Sequence, residues 1–317
     1  MTLPRTSSVV FMGTPSFSVP FLDAILKSKR MVSGVVTQPD KPTGRGRKII
    51  PSPVKEYALK HNITIFQPSK LSDQSFVESI KEIRPQYIVV VAYGRIIPAE
   101  VLGIPAKGCI NVHASLLPEY RGASPIQWAI INGRPYTGVT TMMMDKAIDT
   151  GDMLLQEKID IDRSDTAGSL GIKLSDIGVR LLIRTLDGLD RGEIVPQPQD
   201  HSKASYAPLI KKEDGLIDWF DSSENIYNKI RGFDPWPGTY TWYKGYKWGI
   251  WKADVINKVV ISYTPGEIIE IQSEGIIVTT GDSALKITEI QAAGKKRMTV
   301  AEYLRGHKVE SGIMLGK

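Results

Sequence analysis

The sequence predicts an α/β domain built on a mostly parallel sheet, followed by a smaller antiparallel β domain. In the first half of the chain, apolar strand-like runs alternate with helical patterns, and several runs are continuous Val/Ile segments typical of strands covered on both faces. From about residue 240 the chain carries short strands separated by Gly, Asp and Asn. We therefore predict a Rossmann-like sheet with helices on both faces and a C-terminal OB-like β-barrel.

The spacing of apolar residues along the chain predicts the helices and strands of the first domain. SSVVFMG (7–13) predicts a strand, and Ser16 can cap a helix in which Phe17, Phe21 and Ile25 form an apolar stripe. FMGTPSF, after that strand, has one glycine where the dinucleotide fingerprint needs three, so we expect no nicotinamide. Helices are predicted in SPVKEYALKHN and DQSFVESIKEIR, a long one at 165–192, and further strands at 32–38, 63–66, 87–93, 109–113 and 138–144.

The length of 317 residues favours two domains. Residues 1–192 form the predicted catalytic domain. Residues 193–210 are rich in Pro, Gln and Ser without a period, which indicates a linker. Residues 211–317 form the predicted barrel, with strands in TYTWYK, KWGIWKADVI, GEIIEI, GIIVTTGD and ALKITEIQ.

Composition excludes several classes of protein. With 42% hydrophobic and 23% charged residues, the chain is typical of an ordinary globular protein. The N-terminus does not resemble a signal peptide and no window approaches a membrane span of about 18 apolar residues, so we expect a cytoplasmic protein without a membrane partner. Cys109, the single cysteine, lies in an apolar run and is expected to be a buried, inert thiol; a metal site built on cysteines is excluded.

The positive charge is concentrated near the start of the chain. The net charge is +6, and residues 1–60 hold ten Lys/Arg against three Asp/Glu. KPTGRGRK (41–48) carries four basic side chains, two glycines and no acid. It is either a solvated surface loop or a cationic finger for a polyanion, because basic side chains on a glycine-rich loop can follow phosphates.

The segment GCINVHASLLPEYRG (108–122) carries the clearest signal of chemistry. Asn111 and His113 are two apart at the end of a predicted strand, so they project together where ligands bind in open α/β sheets. A further acid, Asp149 in IDTGD, follows the next apolar strand in a turn that can aim it back over the sheet edge. A structural His–Asn pair and a His–Asp metal site are the alternatives; the metal site is weakened because no second histidine lies nearby.

An amide, an imidazole and a carboxylate can support acyl transfer without a protein nucleophile. No G-x-S-x-G elbow is present. When an amine attacks a carbonyl-type carbon, an imidazolium and a carboxamide N–H can stabilise the developing oxyanion. Asp149 can then accept the proton that the amine loses, directly or through water.

NVHASLLPEYRGASPIQWAI together with MDKAIDTGDM resembles the folate-dependent formyltransferases. The resemblance implies that Asn111, His113 and Asp149 are the catalytic trio, and that the co-substrate is 10-formyltetrahydrofolate without a metal. The chain departs from the family pattern at Lys146 and Ala147, where a glycine is expected. The resemblance also implies a folate pocket bordered by SLLP and the loop AYGRIIP, that is, by Tyr93, Gly94, Ile96, Ile97, Ser115, Leu116, Leu117 and Pro118.

TQPDKPTGRGRKIIPSPVK, KEDGLIDW, IRGFDPWPGTYT and GKKRMTVAEYLRGH extend the resemblance across essentially the whole chain, to the branch of the family that formylates methionyl initiator tRNA. It implies that the product is N-formylmethionyl-tRNA for translation initiation. It also implies that Lys41, Arg45, Arg47 and Lys48 contact the acceptor stem, with Arg45 leading, and that the barrel binds more of the tRNA backbone. We expect a monomer.

Three alternative functions make different demands on the sequence. Glycinamide ribonucleotide formyltransferase looks like the first domain alone, so a second domain of over 100 residues argues against it. Sugar-nucleotide formyltransferases can carry both domains but lack the GRGRK-type insertion, which has no use on a small substrate. A non-catalytic RNA-binding protein would need neither Asn111 nor Asp149.

Overall fold

The computed structural model describes residues 7–43, 48–256 and 264–316. Among the helices in these ranges, none combines the length and apolar character needed to cross a membrane.

The chain divides into two compact units, and unit 1 includes most of the segment predicted as a linker. Unit 1 consists of Met1–Pro125, Thr137–Ile159 and Gly171–Ala207; unit 2 consists of Ile126–Tyr136, Asp160–Leu170 and Pro208–Lys317.

The bounds of the elements are as follows, in chain order. The strands are β1 (Ser8–Gly13), β2 (Met31–Val36), β3 (Lys41–Thr43), β4 (Lys48–Ile50), β5 (Ile65–Phe66), β6 (Tyr87–Val91), β7 (Cys109–His113), β8 (Arg121–Gly122), β9 (Tyr136–Met143), β10 (Met153–Asp160), β11 (Tyr206–Ala207), β12 (Thr239–Tyr243), β13 (Tyr246–Ile256), β14 (Ile268–Gln272), β15 (Gly275–Thr279), β16 (Ala284–Ala292) and β17 (Met298–Thr299). The α-helices are α1 (Val19–Lys27), α2 (Pro53–Lys60), α3 (Gln74–Ile83), α4 (Ala99–Leu102), α5 (Pro125–Ile131), α6 (Ala167–Arg191), α7 (Ser223–Gly232) and α8 (Val300–Leu304). Single 3-10 turns lie at Ser16–Ser18, His201–Lys203 and Glu213–Gly215.

The predicted mostly parallel sheet is confirmed. Its seven strands run in the order β10-β9-β7-β6-β1-β2-β5. The pairings of β1 with β2 and β6, of β6 with β7 and of β2 with β5 are parallel, and β7 pairs with β9 antiparallel. β10, at the edge, was not predicted, because its outward residues are polar and give no apolar run.

The central strands are buried on both faces. Val10 and Val90 share one core cluster with Phe76 of α3 and Val101 of α4. Residues one position along the same strands, such as Val89, are also inaccessible to solvent. Continuous Val/Ile runs fit this environment because neither face of the strand meets water.

Cys109 lies in that same core cluster, as the sequence predicted. It is 2% exposed, and burial raises the pKa of its thiol to about 12. A thiol with so high a pKa stays protonated at neutral pH and is a poor nucleophile.

The chain order creates a topological switch beside β1. From β1 the chain proceeds to β2 on one side, and it later returns to β6 on the other. In open α/β sheets, ligands bind outside the carboxyl ends of the strands at such a point. The loop after β6 lies there: the carbonyl of Tyr93 accepts hydrogen bonds from Thr14 and Gln38, which follow β1 and β2.

Unit 2 contains the predicted antiparallel β domain. Its sheet runs in the order β12-β13-β16-β15-β14, with β17 paired to β16. One core cluster joins this sheet to α7 and α8 through Ile226, Trp248, Ile287 and Tyr303. The OB-like form of the barrel stays a prediction.

Candidate active site

The end of β7 carries the two polar side chains that the sequence singled out. Asn111 and His113 are two residues apart in the strand and therefore point to the same face. Both are buried, at 9% and 6% exposure. Because β7 is bonded to β6 on one side and to β9 on the other, its backbone fixes the direction of both side chains.

Asp149 lies in the loop between β9 and β10. Its φ of 53° is in the left-handed region, which aspartate tolerates better than most residues. Two residues later, a Cβ on Gly151 would lie 1.8 Å from the carbonyl oxygen of Met143, so only glycine fits against β9 here. At Lys146 and Ala147, where a glycine was expected, the N–H of Ala147 donates to the carboxylate of Asp145 at 3.0 Å, which closes the loop.

The three predicted catalytic residues meet within unit 1. Nδ2 of Asn111 donates a hydrogen bond of 3.2 Å to Oδ1 of Asp149. Nδ1 of His113 lies 3.6 Å from Oδ2 of the same carboxylate. The backbone N–H of Gly122 donates to Oδ2 at 2.8 Å. The carboxylate is therefore held by N–H donors on both oxygens, with the imidazole beside it.

A backbone carbonyl orients the imidazole of His113. Nε2 lies 2.9 Å from the carbonyl oxygen of Tyr120, and because a carbonyl only accepts, Nε2 carries a proton. The other ring nitrogen, Nδ1, is the one that faces Asp149. Within the described ranges, no group of three or more His, Cys, Asp or Glu is arranged to hold a metal ion.

The predicted SLLP ledge presents two of its four side chains to the surface. Leu116 and Pro118 are half-buried. Ser115 is fully buried and its hydroxyl donates to the carbonyl of Glu119 at 2.6 Å, and Leu117 is 3% exposed. A ligand at this ledge would therefore meet Leu116 and Pro118, while Ser115 and Leu117 shape the backbone.

Two residues that sequence reasoning missed hold this ledge. The hydroxyl of Thr140 donates to the carbonyl of Ser115 at 2.7 Å and accepts from the N–H of Leu117 at 3.0 Å. Nε2 of Gln156 donates to the carbonyl of Leu117 at 2.9 Å. The ledge is thus tied to β9 and β10, although neither strand adjoins it in sequence.

The loop after β6 presents a mixed surface. Tyr93 is 1% exposed and packs in the core cluster of α3 and α4, with its hydroxyl unpartnered among the described residues. Ile97 is also buried. Gly94, with φ of 82°, is exposed and Ile96 is 73% exposed. Of the four residues of this loop that were predicted to border the folate pocket, Gly94 and Ile96 are the two exposed ones, so a ligand would meet the backbone of Gly94 and the side chain of Ile96.

The basic loop is described in part. Lys41, in β3, is exposed and its Nζ donates to Oε1 of Gln38 at 2.9 Å. Lys48 begins β4, which pairs with β3. Arg45 and Arg47 lie outside the described residues.

Two buried polar side chains beside the site were also missed, Arg121 and Gln199. Arg121 follows the ledge and is 2% exposed, and Gln199 lies within the predicted linker and is 6% exposed. Their hydrogen bonds run to each other and to the loop of Asp149. The sequence offered one weak signal, an arginine three residues after the end of the apolar ledge.

Family models match both parts of the chain. A formyl transferase model matches residues 7–186, and a formyl transferase C-terminal domain model matches residues 209–308. The methionyl-tRNA formyltransferase of Acetivibrio thermocellus is 47% identical, over 98% of this chain and 99% of its own length. That of Alkaliphilus oremlandii is 48% identical, over 98% and 99%.

Solved structures share the fold at low identity. The N-formyltransferase from Helicobacter canadensis, in complex with folinic acid and dTDP-3-aminofucose, superimposes with a TM-score of 0.67 at 20% identity, covering 92% of this chain and 100% of that one. HypX from Aquifex aeolicus, in complex with tetrahydrofolic acid, gives 0.65 at 18% identity over 97% of this chain and 50% of that one. The chain thus spans about half the length of HypX.

Proposed function

The chain belongs to the formyl transferase family, and we propose that it transfers the formyl group of 10-formyltetrahydrofolate to the free amino group of methionyl initiator tRNA. The product is N-formylmethionyl-tRNA for translation initiation, which takes place in the cytoplasm. Relatives nearly half identical over almost the whole chain are methionyl-tRNA formyltransferases. The single observation that carries the chemistry is that an amide, an imidazole and a carboxylate meet within 3.6 Å at the end of β7.

Asn111 and His113 stabilise the oxyanion in this proposal. When the amine attacks the formyl carbon, negative charge develops on the formyl oxygen. A carboxamide has two N–H donors, so Asn111 can keep one on Asp149 and offer the other to that oxygen. His113 acts in this proposal as an imidazolium, which carries an N–H on both ring nitrogens; Nε2–H is bonded to the carbonyl of Tyr120, so Nδ1–H is the donor to the oxyanion. Fixed donors of this kind contribute about a hundredfold or more to kcat each.

Asp149 receives the proton that the attacking nitrogen loses, directly or through one water. Its carboxylate faces both oxyanion donors, so an amine bound at the formyl carbon is within reach of its oxygens. As the tetrahedral intermediate collapses, the bond from the formyl carbon to N10 of the folate breaks, and N10 takes up a proton. The products are the N-formyl amide and tetrahydrofolate.

In this proposal the folate lies between the ledge and the loop after β6. This position lies at the carboxyl edge of the sheet beside the switch point, where open α/β sheets bind ligands. Leu116, Pro118 and Ile96 offer apolar surface for a pterin, and Gly94 lets the backbone approach it. No metal takes part in the proposed reaction.

The tRNA is held by the basic loop and by the C-terminal β domain. The motif KPTGRGRK, of which Lys41 is exposed, supplies four cations to the acceptor stem, with Arg45 as the leading contact. A small substrate such as a nucleotide sugar would leave these cations unused. We propose that the protein acts as a monomer.

The test is formyl transfer from labelled 10-formyltetrahydrofolate to charged initiator tRNA. Uncharged initiator tRNA and an amino-sugar nucleotide serve as control acceptors. We expect label on methionyl-tRNA alone. Label on the nucleotide sugar instead, or on neither acceptor, would refute the proposed substrate.

A further inference from the structure

Gln199 uses both ends of its side-chain amide within unit 1. Nε2 donates to the backbone carbonyls of Asp149 at 3.0 Å and Gly151 at 2.7 Å. Oε1 accepts from Nε and Nη2 of Arg121 at 3.1 and 2.6 Å. A primary amide has two donors and two acceptor positions, so all four are filled. Such a side chain is locked in one orientation.

Arg121 is a buried cation with neutral acceptors. It is 2% exposed, and besides Gln199 its Nη2 donates to Nδ1 of His201 at 2.9 Å. Nδ1 accepts this bond through its lone pair. The next peptide, the N–H of Gly122, donates to the carboxylate of Asp149. Arg121 is therefore connected to the Asp149 loop in two ways. Its guanidinium donates to Gln199, which donates to that loop, and the peptide N–H directly after Arg121 donates to the Asp149 carboxylate.

The segment that carries Gln199 is anchored on both sides. Gln197 and Met153 exchange backbone hydrogen bonds, each of 2.8 Å, which ties the segment to β10. The N–H of Arg121 donates to the carbonyl of Ser205 at 2.8 Å, and β11 then pairs with β8 in parallel. Gln199 thus projects from a fixed strap, residues 197–207.

We propose that Gln199 is a positioning residue for formyl transfer. Its amide holds the backbone carbonyls on either side of Thr150, and so keeps the Asp149 carboxylate facing Asn111 and His113. The inference rests on the proposed function, because it assigns Asp149 the proton-accepting role. Gln199 itself touches neither the carboxylate nor the expected place of the formyl carbon.

A purely structural role for Gln199 would use the other end of the amide. Burying the guanidinium of Arg121 without an acceptor is costly, and Oε1 of Gln199 accepts two of its hydrogen bonds. The two roles use different atoms, so one substitution separates them. Gln199→Glu keeps an acceptor for Arg121 but puts an oxygen in place of Nε2, against two carbonyl oxygens.

The experiment compares Gln199→Glu with the wild type in the tRNA assay, with kcat expressed per folded enzyme. We expect kcat to fall by about 10- to 100-fold, because displacing a reacting group by about 1 Å can cost a hundredfold. The KM values for folate and tRNA should change less than about threefold. Gln199→Asn, whose shorter amide withdraws from both carbonyls, should also lower kcat.

Asp190→Asn is the matched stability control. Asp190 accepts hydrogen bonds from Tyr87, Lys107 and Arg30, near the amino ends of β6, β7 and β2, at the opposite edge of the sheet. This variant should melt at a lower temperature with unchanged kcat.

Two results would overturn the positioning role. One is a Gln199→Glu or Gln199→Asn enzyme with kcat within twofold of the wild type. The other is a loss of activity that only follows a loss of folded protein. If the wild type itself does not formylate methionyl-tRNA, the proposed function fails; if it does and the Gln199 variants keep kcat, the positioning role alone fails.

Discussion

Gly151→Ala tests whether the placement of Asp149 controls the reaction. The added Cβ would lie 1.8 Å from the carbonyl oxygen of Met143, and the same Cβ would meet the backbone of Asp145 at 3.3 Å. Contacts of a Cβ below 3.0 Å are essentially never found, so these atoms must separate by about 1.2 Å. The neighbour is backbone of β9, which cannot rotate away as a side chain could. The shift therefore falls on the loop that carries Asp149.

We expect kcat of Gly151→Ala to fall by about a hundredfold, since a displacement near 1 Å at a reacting group has that effect. Overpacking should also cost about 1–3 kcal/mol of stability. The assay is formyl transfer at saturating folate and tRNA, with thermal melting of the same preparation.

Gly192→Ala is the control for backbone strain alone. Gly192 follows α6 with φ of 71°, and a Cβ there would meet no atom within 4 Å. It should cost about 1–2 kcal/mol of stability, as left-handed backbone does for alanine, and leave kcat unchanged. A folded Gly151→Ala enzyme with wild-type kcat would refute the reasoning that the geometry of this loop limits catalysis.

Further predictions concern the oxyanion donors, the basic loop and an acid-sensitive contact. Asn111→Ala or His113→Ala should lower kcat by roughly a hundredfold or more with little effect on melting; near-normal turnover would remove the residue from the mechanism. Arg45→Ala should lower kcat/KM for tRNA while folate still binds, and wild-type tRNA affinity should fall steeply with salt; an unchanged kcat/KM or a flat salt dependence would contradict the phosphate contacts. Burial disfavours the charged form of Asp190, but hydrogen bonds from Lys107, Tyr87 and Arg30 outweigh it and lower its pKa. The contribution of Asp190 to stability should therefore be complete above about pH 4 and be lost as the pH falls through its folded-state pKa. Asp190→Asn should weaken this acid dependence and cost about 1–3 kcal/mol at neutral pH, checked by melting curves against pH.

Local patterns were enough to predict the strands of the parallel sheet. β6 and β7 are runs of apolar residues, and every residue in both is buried. A strand places alternate residues on one face whatever surrounds it, so the pairing of Asn111 with His113 also followed from spacing. β10 was not predicted, because an edge strand with polar outward residues has no distinctive apolar run.

The contacts around Asp149 depend on residues far apart in sequence. Asp149 is 38 residues from Asn111, and its backbone is held by a glutamine 50 residues further along. Resemblance to a family suggested that Asp149 belongs with Asn111 and His113, but gave no indication of Gln199. A lone polar residue in a Pro- and Gln-rich stretch has no period to mark it, and its hydrogen bonds are all long-range.

The sequence by itself determined the classes of secondary structure, the buried state of Cys109 and the direction of Asn111 and His113, because each depends on the hydrophobic period of neighbouring residues. Only the tertiary structure decided which groups surround the carboxylate of Asp149. It also brought the strap at 197–207 beside β8. These contacts depend on how β9, β10 and the strap approach one another, and the free energy that fixes that approach comes from burial and hydrogen bonding between distant segments.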